Sequence, residues 1–557
     1  MGKVHMRYVK YWADHARNHQ NEIQFLEVEF EHIDRAWELA AQVDMPILEK
    51  KDANTLLLDI TFSMDRFLER HGLYLKNIRW LGRAMEAAQA LKQYHYIGRL
   101  GQDLGWCFRE MGDLDKALEY LLLALDVRRR FGPKEGEANT LSMIGVVYDD
   151  KEMFSNAVEM FEQALVLWRE TGHKDRESIT RNNLAAAYAN QGMWDKAEEH
   201  YLDSVRINQE LGKHEDNAGA FNNLGEVSLA LGKLKEAEKY LADAIRLFEQ
   251  IGDLVHIPTA LNNLSLVMNR QGEINRSISL LQEALNRQRQ LGQILETATT
   301  MNNLGTSYQG KGMYDEAKRY FMAALELSRT FARPKDIAIG LINLSSMYQK
   351  MEMWQDALDG YEEAQSILTK LGSSHLQATL FGNMAAVFFE LNDLEKMQEF
   401  LDRAFNIYRD QNDQDGLAQS YNNMSVFFHK RDTERAKNYL MQAIAISEKI
   451  QDRNGQATYL HNFGAVLKES GELDQSVDYF TRALEIRREL HDYAGMKETL
   501  YNLALALDEL GNGKLAVELL SEVVRLDEQF DFPTAIRDQN ALINFSEKYR
   551  GEVNENP

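Results

Sequence analysis

Cysteine, proline and long apolar runs are scarce in this chain of 557 residues. Its single cysteine, Cys107, excludes an internal disulfide and a thiolate metal cluster, and is typical of a reducing compartment. With Trp106 and Phe108 beside it, we expect Cys107 to be a buried structural thiol. Only 6 prolines interrupt the chain, so helices can run almost unbroken.

No stretch approaches the ~20 apolar residues needed to cross a bilayer, and the N-terminus has no apolar signal region. The chain has 86 acidic and 63 basic residues, which gives a formal charge of −23. That charge repels phosphate backbones and anionic lipids, so we expect no direct nucleic-acid partner, no membrane contact and a cytoplasmic location. The acidity indicates either attraction of a basic partner or a solvated face that keeps a long protein in solution.

A repeat of 40 residues dominates the sequence. Apolar anchors recur at this interval from Leu104 to Met424 and continue, after one deletion, at Phe463 and Leu503, which gives eleven units. The residue after each anchor is small, as at Gly225 and Gly305, and allows two helices to approach closely. The second half of most units places an alanine four residues before a large apolar residue, on one helix face.

This pattern, Leu-Gly-x2-Tyr followed by Ala-x3-Phe-x2-Ala, resembles the tetratricopeptide repeat. The resemblance implies an all-α fold, a right-handed α-solenoid of helix-turn-helix repeats. Six extra residues lengthen the second helix, for example Leu234 to Ile251, which then ends at a glycine. Similar 40-residue variants occur in tetratricopeptide adaptor proteins and in bacterial sensors.

The repeat pattern also predicts a division of the chain. We expect an N-terminal helical segment at 1–53, a degenerate first repeat at 54–97, eleven repeats at 98–530, a capping helix at 531–550 and a disordered tail at 551–557. Leu26, Ile33 and Trp37 form an apolar helix face in the first segment, and a break in the helix is expected around Met45 and Pro46.

Residues 1 to about 100 resemble the segment that joins the nucleotide switch of bacterial signal-transduction ATPases to their repeat sensor, with His32 where an asparagine commonly stands. No phosphate loop or winged helix precedes it, so the resemblance implies a sensor without the ATPase. Enzyme motifs are lacking as well: Gly511 to Lys514 is followed by Leu515 where a phosphate loop needs Ser or Thr, and His15 and His19 lack further ligands. We expect no catalysis, no metal and no cofactor.

The strongest functional signal is an asparagine before the anchor in nine consecutive repeats. In the tetratricopeptide fold this position faces the concave surface, and some relatives hold peptide backbones with such an asparagine ladder. The alternative is that these amides bridge adjacent repeats. The residue before the ladder, Asn222, recurs only at Asn182, Asn262, Asn302 and Asn422, so we interpret it as local to the central repeats. The predicted peptide-binding residues are Asn183, Asn223, Asn263, Asn303, Asn343, Asn383, Asn423, Asn462 and Asn502.

Charges beside the ladder vary along the groove and would supply selectivity. Asp149 and Asp150 are acidic, whereas positive charges follow at Lys350, Lys430, Arg431 and Lys468. The sequence therefore predicts a non-catalytic scaffold that holds an extended protein or peptide segment in its groove. The alternatives are a regulatory sensor subunit whose superhelix change controls a separate ATPase, protease or transcription factor, and a self-assembling scaffold that forms homo-oligomers.

Overall fold

The computed structural model describes residues 2–41, 47–411, 413–530, 532 and 534–549. Within them the chain is helical, with no strand, which confirms the predicted all-α solenoid. It divides into two compact units, unit 1 (Met1–His214) and unit 2 (Glu215–Pro557). The predicted break at Met45 and Pro46 and the predicted tail lie outside the described residues.

Unit 1 contains ten α-helices within its described residues. Their bounds are α1 Gly2–Asn18, α2 Ile23–Ala41, α3 Ile47–Arg70, α4 Tyr74–Ala90, α5 Tyr94–Glu110, α6 Leu114–Phe131, α7 Lys134–Asp150, α8 Phe154–Thr171, α9 Lys174–Asn190 and α10 Trp194–Glu210. Helices α1, α2 and α3 contact one another, and α3 runs across the expected boundary between residues 53 and 54. Leu26, Ile33 and Trp37 are buried as predicted, and Trp37 stacks on Trp80 with ring centroids 4.7 Å apart.

Unit 2 begins after a short 3-10 helix, His214–Asn217, and continues with seventeen α-helices in its described residues. They are α11 Ala218–Ala230, α12 Leu234–Ile251, α13 Ile257–Gln271, α14 Ile274–Leu291, α15 Glu296–Gly310, α16 Tyr314–Thr330, α17 Pro334–Lys350, α18 Trp354–Leu371, α19 Ser374–Glu390, α20 Leu394–Asp410, α21 Gln414–Phe428, α22 Thr433–Ile450, α23 Arg453–Glu469, α24 Leu473–Leu490, α25 Tyr493–Glu509, α26 Gly513–Phe530 and α27 Ala535–Lys548. Helix α12 has the predicted bounds and ends at Gly252, which adopts the left-handed conformation with φ 73°.

The two helices of each repeat pack through the predicted pair of a small and a large residue. A Cβ built on Gly305 would lie 2.5 Å from Cε1 of Phe321, and one on Gly145 would lie 2.6 Å from Cε1 of Phe161. Both phenylalanine side chains are 1% exposed. The absence of a side chain at the glycine is therefore what lets the aromatic ring pack onto the backbone of the neighbouring helix.

Helix α27 packs on the end of the last repeat, within the range 531–550 for which the sequence predicts a capping helix. It packs on α26, where Ala541, Leu542 and Phe545 join the apolar cluster around Leu520 and Val523. A buried ion-pair network also ties α27 to this repeat, with Lys497 at its centre. This contact removes the exposed apolar face that a terminal repeat would otherwise present to water.

Candidate functional site: an asparagine ladder on the inner helices

The first helix of each repeat in unit 2 lies on the inner side of the curved stack. Successive first helices contact each other directly, from α11 with α13 to α23 with α25. Among the described residues, the second helices make no contact of similar extent with one another. Elements on the inner side of a curved stack are closer together, so the first helices, here called the inner helices, form the concave surface of unit 2.

The predicted ladder lies on helices of this kind. Asn183 is on α9 in unit 1, and the other eight ladder residues lie on the inner helices of unit 2 from α11 to α25. Asn423 is exposed, and the other eight are half-buried. Every ladder residue is thus at least partly exposed, while the anchor residue that follows it is buried in the core.

Four ladder asparagines bridge neighbouring repeats. The side-chain Nδ2 of Asn263 donates to Oδ1 of Asn222 at 3.2 Å, and Nδ2 of Asn303 donates to Oδ1 of Asn262 at 3.2 Å. In the same way Nδ2 of Asn462 donates to Oδ1 of Asn422 at 2.7 Å. In the last repeat, Nδ2 of Asn502 lies 3.4 Å from Nε2 of His461. These bonds satisfy part of the hydrogen-bonding capacity of the ladder inside the protein.

The acceptors in these bridges occupy the position just before the ladder in the preceding repeat. Interpreting Asn222, Asn262 and Asn422 as merely local was therefore wrong, because each accepts from the ladder amide of the next repeat. The sequence carried a usable signal for this pairing. A bridge requires a polar side chain about 41 residues before the ladder asparagine, and that condition can be checked repeat by repeat.

Three consecutive ladder amides lack such a bridge. Among the described residues, Asn343, Asn383 and Asn423 have no side-chain hydrogen-bond partner. The bridging position holds Ile342 before Asn383 and Gly382 before Asn423, and neither offers a side-chain acceptor. Asn302 holds this position before Asn343, but its Oδ1 is buried without a hydrogen-bond partner. Three successive inner helices of unit 2 therefore carry ladder amides without an internal side-chain hydrogen bond among the described residues.

Most of the charges predicted beside the ladder are paired within the protein. Nε of Arg109 lies 2.5 Å from Oδ2 of Asp150, Asn190 donates to Asp149, and Nζ of Lys468 lies 3.1 Å from Oε1 of Glu509. Arg431 donates to Oδ1 of Asn392 at 3.3 Å. The ion pairs of Asp150 and Lys468 offset part of the predicted charge asymmetry, whereas hydrogen bonds to neutral amides leave the charges of Asp149 and Arg431 in place.

Two lysines beside the unbridged amides differ from these pairs. Lys350 and Lys430 are exposed and make no ion pair with the described residues. Lys350 is the last residue of α17 and stands seven residues after Asn343, two turns away on the same helix face. Lys430 stands seven residues after Asn423 but lies in the turn that follows α21, which ends at Phe428. Glu390 is exposed at the equivalent place after Asn383. The inner surface around the unbridged amides thus offers two ammonium groups, one on each side of a carboxylate.

His461 replaces asparagine as a bridging acceptor and makes the last bridge sensitive to protonation. The residue is 5% exposed, and burial, followed by the positive charge of Arg487, lowers the pKa of its imidazole to about 3. The neutral ring accepts from Asn502 through Nε2, and its Nδ1 lies 3.2 Å from Oγ1 of Thr499. The folded protein therefore needs an uncharged imidazole here.

We expect unit 2 to lose stability as the pH falls below about 6.5, because the unfolded chain then protonates His461 while the folded chain does not. The loss is about 1.4 kcal/mol per pH unit until the folded-state pKa is approached. His461→Asn keeps the acceptor and removes the titration. Urea unfolding at pH 6.5 and 5.5 should show a smaller pH effect for this variant than for the wild type, and equal effects would contradict the assignment.

Cys107 is confirmed as a buried structural thiol. It is 0% exposed, accepts from Nδ2 of Asn77 at 3.5 Å, and its burial raises the pKa of the thiol to about 12. A thiol with so high a pKa carries almost no thiolate at neutral pH. Within the described residues, no helix is both long and apolar enough to cross a membrane, and no three His, Cys, Asp or Glu side chains are grouped to hold a metal ion.

The chain belongs to the tetratricopeptide repeat family. The family model matches residues 104–170, 176–250, 256–330, 336–410, 376–449 and 455–529, which together make up most of the chain. The repeat pattern of the sequence and the paired helices of the structure agree with this assignment. No curated protein matches the chain as a relative.

Solved structures of helical proteins align with parts of the chain. The apo form of RapI is 13% identical over 66% of this chain and 98% of its own, with a TM-score of 0.49. The apo form of the quorum sensor NprR from B. thuringiensis is 16% identical over 65% of this chain and 98% of its own, with a TM-score of 0.48. BtubC from P. vanneervenii is 21% identical over 39% of this chain and 91% of its own, with a TM-score of 0.33.

Proposed function

We propose that the protein is a non-catalytic binding module that holds an extended peptide segment of a partner on the inner helices of unit 2. The observation that carries this proposal is the run of unbridged amides at Asn343, Asn383 and Asn423. A free carboxamide can donate to a peptide carbonyl and accept from a peptide N–H. Three of them in register suit a peptide backbone, whatever its sequence.

The spacing of the inner helices supports an extended ligand. Packed helices lie about 8–10 Å apart, and an extended chain advances about 3.3–3.6 Å per residue. One ladder amide would therefore meet the ligand about every third residue. The peptide loses conformational entropy when it is ordered, so several such contacts are needed before binding becomes favourable.

The charges beside these amides favour ligands with a carboxylate. Lys350 and Lys430 carry positive charge without an ion pair among the described residues, and Glu390 is the last residue of α19, the inner helix between α17 and α21. An acidic side chain of the ligand near either lysine would gain an ion pair at the surface. Such a pair is worth less than about 1 kcal/mol and weakens with salt, so it selects among ligands more than it holds them.

The remaining ladder residues in this proposal have a mainly structural role. Asn263, Asn303, Asn462 and Asn502 already donate to the preceding repeat. Their carbonyl oxygens can still meet a ligand, but the amide donors cannot do so without breaking a bridge. Asn223 precedes the bridged part of the ladder in unit 2 and already accepts from Asn222, while Asn183 lies in unit 1 and has no part in this proposal.

The test compares two sets of ladder variants. A peptide is selected from a display library of short random peptides on the wild-type protein, and its affinity is then measured by titration calorimetry. For the triple variant Asn343→Ala, Asn383→Ala and Asn423→Ala we expect binding to weaken by about 10-fold to 2000-fold, since each of the three lost hydrogen bonds costs about 0.5–1.5 kcal/mol. Its melting temperature should match that of the wild type, because no internal bond is lost.

The matched control removes two bridged amides, Asn263→Ala and Asn303→Ala. We expect this double variant to melt at a lower temperature and to bind the peptide within a few-fold of the wild-type affinity. Equal affinity of the triple variant and the wild type, with both folded, would contradict the proposal. Binding lost equally in both sets would show that the whole ladder contacts the ligand. Concentration-dependent mass, together with no selected peptide, would favour the self-assembling scaffold.

A further inference from the structure

Two turn glycines of unit 2 are buried, although this position is normally exposed. Gly312, Gly471 and Gly511 lie in the turn after an inner helix and are exposed to solvent. Gly232 and Gly272 occupy the same place in their repeats and have similar positive φ values of 74° and 84°, yet both are buried. Something other than the local turn therefore covers this part of unit 2.

The cover comes from the far end of the same unit. A Cβ built on Gly232 would lie 3.2 Å from Cδ2 of Leu490. One built on Gly272 would lie 2.7 Å from Cζ of Phe532 and 3.8 Å from Cβ of Ala494. Helix α13 contacts α25 accordingly. The partners are about 260 residues apart in sequence, whereas repeats of a solenoid ordinarily contact only their neighbours.

Side chains on both sides of this contact are buried. Phe532 is 8% exposed and Gln271 is 4% exposed. Oε1 of Gln271 is buried without a hydrogen-bond partner, while its Nε2 donates to Oε2 of Glu238 at 3.3 Å. Beside the contact, Ile274 and Arg276 face Gln529 and Phe530 across a crevice of about 330 Å³. The contact thus combines close apolar packing with an incompletely filled edge.

We infer that unit 2 closes on itself through a clasp, in which Leu490, Ala494 and Phe532 cover Gly232 and Gly272, and that opening this clasp widens the inner groove for a partner. The second half of this inference rests on the proposed function. Glycine is required at 272, since any side chain there would meet the ring of Phe532. The clasp is small compared with the packing between adjacent repeats, so it can open without unfolding any repeat. Small rotations between repeats then add up along the unit.

Hydrogen exchange tests the clasp without any ligand. Phe532→Ala is expected to increase the exchange rates of the amides of Gly272, Glu273 and Ile274 at least about tenfold, because opening exposes this turn more often. The turn at Gly312 and Met313 has the same backbone hydrogen bonds and no cover, and it serves as an internal control. Ile536→Ala, at a residue that is 78% exposed, should change neither turn. Unchanged exchange at Gly272, or equal changes at both turns, would overturn the clasp.

A second variant is needed because Phe532→Ala also removes a contact next to α27. The ring centroid of Phe532 lies 4.7 Å from the ammonium of Lys497. Leu490→Ala removes the other contact and should accelerate exchange at the turn of Gly232 in the same way. If exchange accelerates in neither turn, the two contacts do not close the unit. If it accelerates at Gly232 alone, Leu490 forms the clasp and the assignment of Phe532 is overturned.

A disulfide can lock the clasp and test its link to the groove. In the Phe532→Ala background, Gly272→Cys and Ala494→Cys place two Cβ atoms about 3.8 Å apart, within disulfide range, and the native Cys107 is buried. Oxidation should restore slow exchange at the Gly272 turn and weaken binding of the selected peptide at least about tenfold relative to the reduced form. Equal binding by both forms would overturn the link to the groove. If no peptide is ever selected, the proposed function fails, while the exchange measurements still decide the clasp.

Discussion

Lys497→Met is expected to weaken the attachment of α27 to the last repeat by about 3–5 kcal/mol, because it leaves the buried Asp527 without its cation and Asp538 with Arg537 alone. Nζ of Lys497 lies 2.5 Å from Oδ1 of Asp527 on α26 and 2.9 Å from Oδ2 of Asp538 on α27. The lysine is 6% exposed, Asp527 is 4% exposed and Asp538 is 0% exposed. Methionine has a similar length, so the packing volume is kept while the charge is lost.

The two carboxyl groups of this network differ in their pKa. Burial raises the pKa of Asp527. Burial would also raise that of Asp538, but hydrogen bonds from Arg537, Lys497 and Thr534 hold the pKa of Asp538 below its usual value. In Lys497→Met, Asp527 loses its cation and Asp538 keeps Arg537 as its only cation, so the pKa values of both carboxyl groups rise. The deficit of the variant should therefore shrink as the pH is lowered from 7 toward about 5, where protonation removes the uncompensated charge.

The matched control for this prediction is Lys548→Met. Lys548 also connects α27 to the last repeat, with Nζ 2.7 Å from Oδ1 of Asp508, but its side chain is 54% exposed. An exposed ion pair contributes less than about 1 kcal/mol. Hydrogen exchange of the α27 amides measures both variants. Similar exchange rates in Lys497→Met and Lys548→Met would show that burial does not set the strength of the Lys497 network.

Phe321→Ala is expected to destabilise unit 2 by about 3–5 kcal/mol, since it removes a ring that is 1% exposed and leaves a cavity between α15 and α16. Substitution of Gly305, which faces Phe321 from α15, tests for this cavity. In the wild type, Gly305→Ala should destabilise by about 1–3 kcal/mol because its Cβ would lie 2.5 Å from the ring. In the Phe321→Ala background the same change should stabilise, because the Cβ enters the cavity and alanine favours the helix by about 0.5–1 kcal/mol.

Gly82→Ala is the control for helix propensity alone. Gly82 lies within α4, and a Cβ built on it has nothing within 4 Å. We expect this variant to stabilise its own unit by about 0.5–1 kcal/mol. Urea unfolding of the four combinations at positions 305 and 321 gives the coupling between them. A coupling energy near zero would contradict direct packing of the ring on the glycine.

Features that depend on a few neighbouring residues were predictable from the sequence. The bounds of α12, the left-handed glycine at Gly252 and the burial of Cys107 follow from the sequence, because helix periodicity, turn conformation and apolar flanks act over a few residues. The bridging role of Asn222 was missed. Its partner, Asn263, is in the next repeat, and only the stacking of α11 on α13 brings the two amides within hydrogen-bond distance.

The sequence alone determined the repeat, its helix pairs and the pairing of small with large residues, since each depends on contacts within one repeat or at a fixed spacing. Three features were decided by tertiary structure: which ladder amides are bridged, which charges beside them are paired, and what covers Gly272. They depend on how far each repeat is rotated against the next, and no single repeat encodes that rotation. Over six or seven repeats the rotations accumulate and bring Phe532 into contact with Gly272. Neither segment carries a sequence pattern that indicates the other as its partner.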